Sequence, residues 1–136
     1  LKTALAIHPG FRLSKHNTQI TRKVMKKIEA IIRHHKLDSL KSSLVKEGFH
    51  GMTVTEVQGY GRQKGHTETF RGAEYQVDFV PKIKVEIAAK ESDVQKIVEL
   101  IISAARSGQI GDGKIFISDL AQVVRIRTNE SGDAAL

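Results

Sequence analysis

An α+β domain whose single antiparallel sheet carries both helices on one face is the fold class this sequence predicts, on three observations. Apolar residues recur with period two in several stretches and with a helical period in two others. The stretches follow the order strand, helix, strand, strand, helix, strand. The 136 residues have the length of one domain, with 40% hydrophobic and 27% charged residues, enough to bury a core and far from the signature of disorder.

The elements follow in order. From Met25 to Arg33, Ile28, Ala30 and Ile32 share one parity and Lys27, Glu29 and Arg33 the other, which predicts a half-buried strand. Leu37, Leu40, Leu44 and Val45 recur at helical spacing, and Gly48 follows where a helix end favours a left-handed residue. Met52 to Val57 is rich in β-branched residues, and Val77 to Ile87 alternates, with Val77, Phe79, Ile83, Val85 and Ile87 on one side and Asp78, Lys82, Lys84 and Glu86 on the other. Ser92 and Gln95 have the spacing of a capping box ahead of Val94, Ile97, Val98, Ile101 and Ala105, with Gly108 closing this second helix. A last strand holds Ile115 and Ile117, and Val123 to Arg127 alternates again. Together these predict a ferredoxin-like βαββαβ arrangement. Its open sheet face would carry Glu29, Lys84 and Glu86 beside Ile31 and Val80, a mixture that suits self-association or a solvated face.

The net charge of +7 is unevenly spread. Lys2, Arg12, Lys15, Arg22 and Lys23 stand in an acid-free segment, whereas from Met25 onward 17 basic residues meet 15 acidic ones. The charge therefore gives no support to nucleic-acid binding by the domain. Residues 1–24, interrupted by Pro9-Gly10, read as a basic N-terminal extension, either sequence upstream of a start at Met25 or a flexible appendage; residues 25–136 form the domain. The chain has no Cys, which removes disulfides and thiol chemistry and suits a reducing cytoplasm.

Two segments depart from economical folding. Gly59 to Gln76 joins the second and third strands with four Gly and four basic side chains, too long for a hairpin connection, and is either functional or disordered. Gly111-Asp112-Gly113-Lys114 is either an ordinary turn or an anion-binding nest, since Gly amides without a Cβ allow close approach of phosphate oxygens. Arg125 and Arg127, two apart on a predicted strand, would share a face and repel unless an anion sits between them. With Lys114 and Arg62 they would form a polyphosphate clamp.

The strings KIEAIIR, GMTVTEVQGYGRQKGHTETFRGAEYQVDFVPKIKVEI, GDGKIFIS and VVRIRT resemble the P-II nitrogen-regulatory signal proteins from Met25 to the end of the sequence. The resemblance implies a homotrimer that is not an enzyme, binds ATP or ADP between subunits and 2-oxoglutarate with Mg²⁺ beside ATP, and grips targets through the long T-loop. It assigns phosphates to Arg62, to Gly111, Asp112, Gly113 and Lys114, and to Arg125 and Arg127 from a neighbouring subunit. Adenine would lie near Thr53 and Glu86, with Ile31, Gly51, Met52 and Gly59 forming the pocket. Gln63 would ligate Mg²⁺ while Lys64, Gly65 and Lys82 complete the 2-oxoglutarate site. Arg71 would contact targets and Tyr75 would be uridylylated; Ala73 stands where some relatives have a phosphorylatable Ser. The implied partners are a uridylyltransferase, the adenylyltransferase of glutamine synthetase, a nitrogen sensor kinase or an ammonium channel, all met in the cytoplasm.

The sequence departs from the family pattern at His34-His35, where Pro-Phe is usual, and at Asn129, where Gly is usual. Adjacent His residues on an extended segment point apart and do not easily meet one metal ion. Two readings from other classes fit less well. An RNA-recognition module would need aromatic residues on its central strands, and a small phosphatase of acylphosphatase type would need an Asn and Arg constellation that has no place here.

Overall fold

The structure, a computed structural model, describes residues 24–61 and 66–136. Strand β1 (Met25–Arg33) runs through a 3-10 turn (His34–Lys36) into helix α1 (Leu37–Lys46), and β2 (Thr53–Gly59) follows. Beyond it come β3 (His66–Phe70), β4 (Ala73–Val77), β5 (Val80–Lys90), helix α2 (Glu91–Ala105), β6 (Lys114–Leu120) and a C-terminal 3-10 turn (Gly132–Ala135). Four strands form an antiparallel sheet in the order β2-β5-β1-β6, the ferredoxin-like arrangement, while β3 and β4 pair as a separate ribbon.

Period-two patterning decides which face each residue takes. Ile28, Ala30 and Ile32 of β1 lie beside Ile87, Val85 and Ile83 of β5, and all six are buried with Leu40 and Leu44 of α1 and Ile97, Ile101 and Ala105 of α2. Both helices therefore cover one face. The other face carries cross-strand rows: Thr53, Glu86, Glu29 and Phe116 form one, and Thr55, Lys84, Ile31 and Lys114 the next. On this open face Lys84 reaches Glu29 and Glu86, both at 3.5 Å, and Lys27 reaches Glu86 at 3.6 Å. Burial pushes the Glu86 carboxyl up, but Lys27 and Lys84 outweigh it and hold the group below its ordinary value.

Several expectations need correction. The β5 strand begins at Val80, not Val77: Val77 closes β4, and Phe79 lies exposed in the break between them. Helix α2 begins at Glu91 with an extended Lys90 before it, and no side chain caps it, so Ser92 sits inside the helix. Val45 lies on the outer side of α1 and is exposed, since Leu40 and Leu44 already fill the contact with the sheet. The alternation from Val123 to Arg127 yields no strand. Val124 makes a lone bridge to Ser131, and the chain turns back as Asn129 N–H donates to the Arg125 carbonyl at 2.8 Å. Asn129 is left-handed at φ 59, a conformation that Gly adopts freely and Asn tolerates best among other residues, which accounts for that departure from the family pattern. The His34-His35 pair belongs to a 3-10 turn rather than an extended segment.

The long connection is also more ordered than a shapeless loop. His66 to Val77 forms an antiparallel hairpin, with Arg71 at φ 52 and Gly72 at φ 79 as its two-residue loop. Positive φ at both positions matches the right-handed twist of the ribbon and places Arg71 at its tip. Tyr75 pairs with Glu68 in the backbone register. Arg62, Gln63, Lys64, Gly65 and the N-terminal extension before Val24 lie outside the described residues. Among the described residues no helix is long and apolar enough to cross a membrane.

Candidate functional site

A cleft of about 700 Å³ opens where the ends of β2, β5 and β1 meet the connection into β6. Ile31, Gly59, Lys82 and the whole Gly111–Lys114 turn line it, together with Tyr60, Val80 and Phe116. Its floor follows from strand register. Lys82 lies between Val57 and Arg33, and Ile31 lies between Lys84 and Lys114, so both side chains project from the open face beside the turn.

The turn takes a backbone shape that glycine adopts freely. Gly111 and Gly113 sit at φ 102 and φ 100, which strains any residue with a Cβ. A Cβ at Gly113 would stand 1.6 Å from the Ile31 carbonyl oxygen, so the turn is pressed directly on β1. Lys114 then opens β6 at the mouth of the cleft and is exposed.

Lys82 is 7% exposed, a buried cation where alternation alone placed a solvated one. Its Nζ donates to the Gly111 carbonyl oxygen at 2.6 Å. Desolvation lowers its pKa from the ordinary lysine value, and the nearby Arg33 guanidinium lowers it further, while Asp112 opposes both. A cation held at such a disadvantage gains when a carboxylate arrives.

Two residues that sequence reasoning passed over hold the turn. Arg33 donates through Nε to Asp112 Oδ1 at 3.2 Å and through Nη2 to the Ile110 carbonyl at 2.7 Å. Ser107 gives Asp112 both its backbone N–H, at 2.8 Å, and its hydroxyl. No local pattern marks either one: Arg33 reads as the polar end of a strand, and Ser107 as part of a helix exit.

The other expected residues that the structure describes do not line this cleft. Thr53 and Glu86 face each other at the far end of β2, six residues from Gly59, or roughly 20 Å along an extended strand. Met52 packs against the core, and Gly51 lines a separate hollow with His50, Ile87, Asp93 and Leu136. Arg125 does not share a strand face with Arg127. Its guanidinium pairs with Glu130 at 3.2 Å and donates to the Leu136 carbonyl at 3.1 Å, which ties it to the hollow that contains Gly51. The shared strand face expected of Arg125 and Arg127 is therefore absent, because the last segment turns back instead of adding a strand. Among the described residues, the expected ligand residues thus fall into two groups, one lining the cleft and one outside it.

The model of the family described as nitrogen regulatory protein P-II matches residues 25–130. The chain belongs to the P-II family. Nitrogen regulatory protein P-II 1 of Escherichia coli K12 is 58% identical over 112 residues, covering 82% of this chain and 100% of that protein. Nitrogen regulatory protein P-II of Porphyra purpurea is similar to the same extent, 58% over 112 residues with the same coverage. Among solved structures, PII of Arabidopsis thaliana bound to citrate superposes with a TM-score of 0.70 at 38% identity, covering 86% of this chain and 96% of that one. As a P-II protein the chain is a regulatory signal transducer, not an enzyme, and P-II proteins bind small effector ligands.

Proposed function

We propose that this chain is a cytoplasmic homotrimeric sensor that binds ATP or ADP, and 2-oxoglutarate with Mg²⁺, in clefts between subunits, and regulates nitrogen-assimilation proteins through its T-loop. The observation that carries this reading is the division of the ligand residues. One group, Ile31, Gly59, Lys82 and Gly111 to Lys114, lines the cleft. The other, Gly51, Met52, Thr53, Glu86, Arg125 and Arg127, lies outside it. A neighbouring subunit that presents its second group to the first would complete one site per interface, with adenine against Ile31 and the neighbour's Thr53 and Glu86. Phosphates would lie on the turn and Lys114, with the neighbour's Arg125 and Arg127 closing over them. The open face, with its paired Lys and Glu side chains around Ile31 and exposed Phe116, supplies a surface for that assembly.

Mg²⁺ fits this arrangement only with help from the ligands. Among the described residues no group of three or more His, Asp, Glu or Cys could hold a metal ion, so the oxygens of ATP and 2-oxoglutarate would supply most of its shell. Gln63 would add one side-chain oxygen. Lys64 and Gly65 would close over 2-oxoglutarate, and Arg62 would join the phosphate contacts. Lys82 would pair with the distal carboxylate, an anion of the same chemical class as the citrate bound to the Arabidopsis protein. Ligand state would then reach targets through the ribbon of β3 and β4, with Arg71 as a contact and Tyr75 as the uridylylated residue. Uridylyltransferase, adenylyltransferase, a sensor kinase or an ammonium channel are the partners this reading implies.

Calorimetric titration of the purified protein with ATP, with and without Mg²⁺ and 2-oxoglutarate, tests the proposal. ATP should bind alone and 2-oxoglutarate only with MgATP present. Tight 2-oxoglutarate binding without nucleotide, or ATP binding by a monomer, contradicts it.

A further inference from the structure

Asp112 stands in the middle of the anion-receiving turn with the wrong charge for touching phosphate. Its two oxygens are occupied by the chain itself. Oδ2 accepts from the N–H groups of Ser107 and Gly108, both at 2.8 Å, and Oδ1 accepts from the Ser107 hydroxyl and from Arg33 Nε at 3.2 Å. These bonds, with the Ser107 hydroxyl contributing most, hold the carboxyl well below the usual carboxylate range. Arg33 also grips the Ile110 carbonyl, so one guanidinium and one carboxylate bracket the segment from Ser107 to Asp112. Gly113, directly after it, has no room to move towards β1.

We propose that the Asp112 side chain, held by Arg33, is a positioning group that fixes the path from Ser107 to Gly113, and so the spacing between the amides of the turn and Lys114, without its carboxylate contacting the ligand. This rests on the reading of the turn as the phosphate subsite. The sign of one substitution separates positioning from simple electrostatics. Removing a carboxylate beside an anion site relieves repulsion, so on charge alone Asp112→Asn should tighten ATP binding. If Asp112 positions the turn, the same change loosens it and weakens binding. A geometric loss also survives added salt, whereas an effect of exposed charge is screened.

The experiment compares ATP affinity by calorimetry for the parent, Asp112→Asn, Ser107→Ala, Arg33→Gln and the Asp112→Asn/Arg33→Gln double variant, in low salt and at roughly 0.5 M salt. Hydrogen exchange of the Ser107 and Gly108 amides is followed in the same proteins. Asp112→Asn should weaken ATP about tenfold at both salt concentrations, as expected for loss of charge-assisted bonds. Both amides should lose protection while β1 and β5 keep theirs. Arg33→Gln should add less to Asp112→Asn than it costs alone, because the two act through one contact. ATP binding by Asp112→Asn equal to or tighter than the parent's, or unchanged exchange at both amides, overturns the proposal. The exchange reads the clamp without nucleotide, so a parent chain that binds no ATP counts against the functional reading, while the exchange still decides the clamp.

Discussion

Lys82 Nζ donates to the Gly111 carbonyl oxygen at 2.6 Å, so the one buried cation among the described residues is tied to the first residue of the Gly111–Lys114 turn. A carboxylate that took a place at Lys82 would share that ammonium group with the Gly111 carbonyl.

The first prediction concerns pH. A lysine whose folded-state pKa lies below its unfolded value binds its proton less tightly in the folded chain, so stability rises with pH between those two values, ending near pH 10. Lys82→Met should abolish that rise. At neutral pH the variant should lie within about 1 kcal/mol of the parent in urea, since loss of one hydrogen bond offsets relief of desolvation. It should nevertheless bind 2-oxoglutarate, in the presence of MgATP, roughly 10- to 100-fold more weakly. For the parent, 2-oxoglutarate affinity should fall as pH rises through the same window, because binding then requires proton uptake. A pH-independent affinity would remove Lys82 from the site.

Gly113 gives the second prediction. Gly113→Ala places a Cβ against the Ile31 carbonyl at a positive φ and should destabilise the domain by about 3 kcal/mol or more. Gly48→Ala, at φ 88 but in open space, should lose only about 1 to 2 kcal/mol. Urea unfolding of the two variants compares them. Equal losses would mean that β1 yields to the turn.

The third prediction separates the two arginines. Lys114→Ala and Arg127→Ala should each weaken ATP by roughly 10- to 150-fold without loss of stability. Arg125→Ala should weaken ATP and also free the C-terminal turn, because Arg125 holds both Glu130 and the Leu136 carbonyl. Faster amide exchange at Asn129 and Gly132 in Arg125→Ala alone is the expected result.

The fourth prediction concerns the ribbon. Incubation with a uridylyltransferase and UTP should add one uridylyl group per subunit, and Tyr75→Phe should abolish it. The added group brings bulk and charge to a hairpin outside the four-stranded sheet, so the thermal midpoint should not change. Arg71→Ala should lose target binding with nucleotide affinity intact. Mass spectrometry and an ammonium-channel pull-down check the two halves separately.

The sequence made the core legible because Ile28, Ala30, Ile32, Ile83, Val85 and Ile87 keep strict period two and fill the centre of one sheet face. It also marked the Gly111–Lys114 segment as a turn, although its glycines alone suit an ordinary turn as well as an anion nest. It failed at Val123–Arg127, where alternation survives although the backbone bonds locally from Arg125 to Asn129 and Glu130. Periodicity measures side-chain alternation and is blind to which backbone partner is available. Arg33 and Asp112 meet across 79 residues, and local patterning carries no signal for such a pair.

The central strand β1 bonds β5 on one side and β6 on the other, and its first turn of register sets Met25 beside Leu120. Lys26 and Asp119, 93 positions apart, form an ion pair on that seam. On the ribosome, β1 therefore waits for β5 to cover one edge and, longer still, for β6 to cover the other. Closing loops of this span is slow, and a nascent chain stalled before β6 keeps an apolar edge open to other chains. Truncations that end before Lys114 should accordingly collect as aggregates, even with β5 already paired to β1.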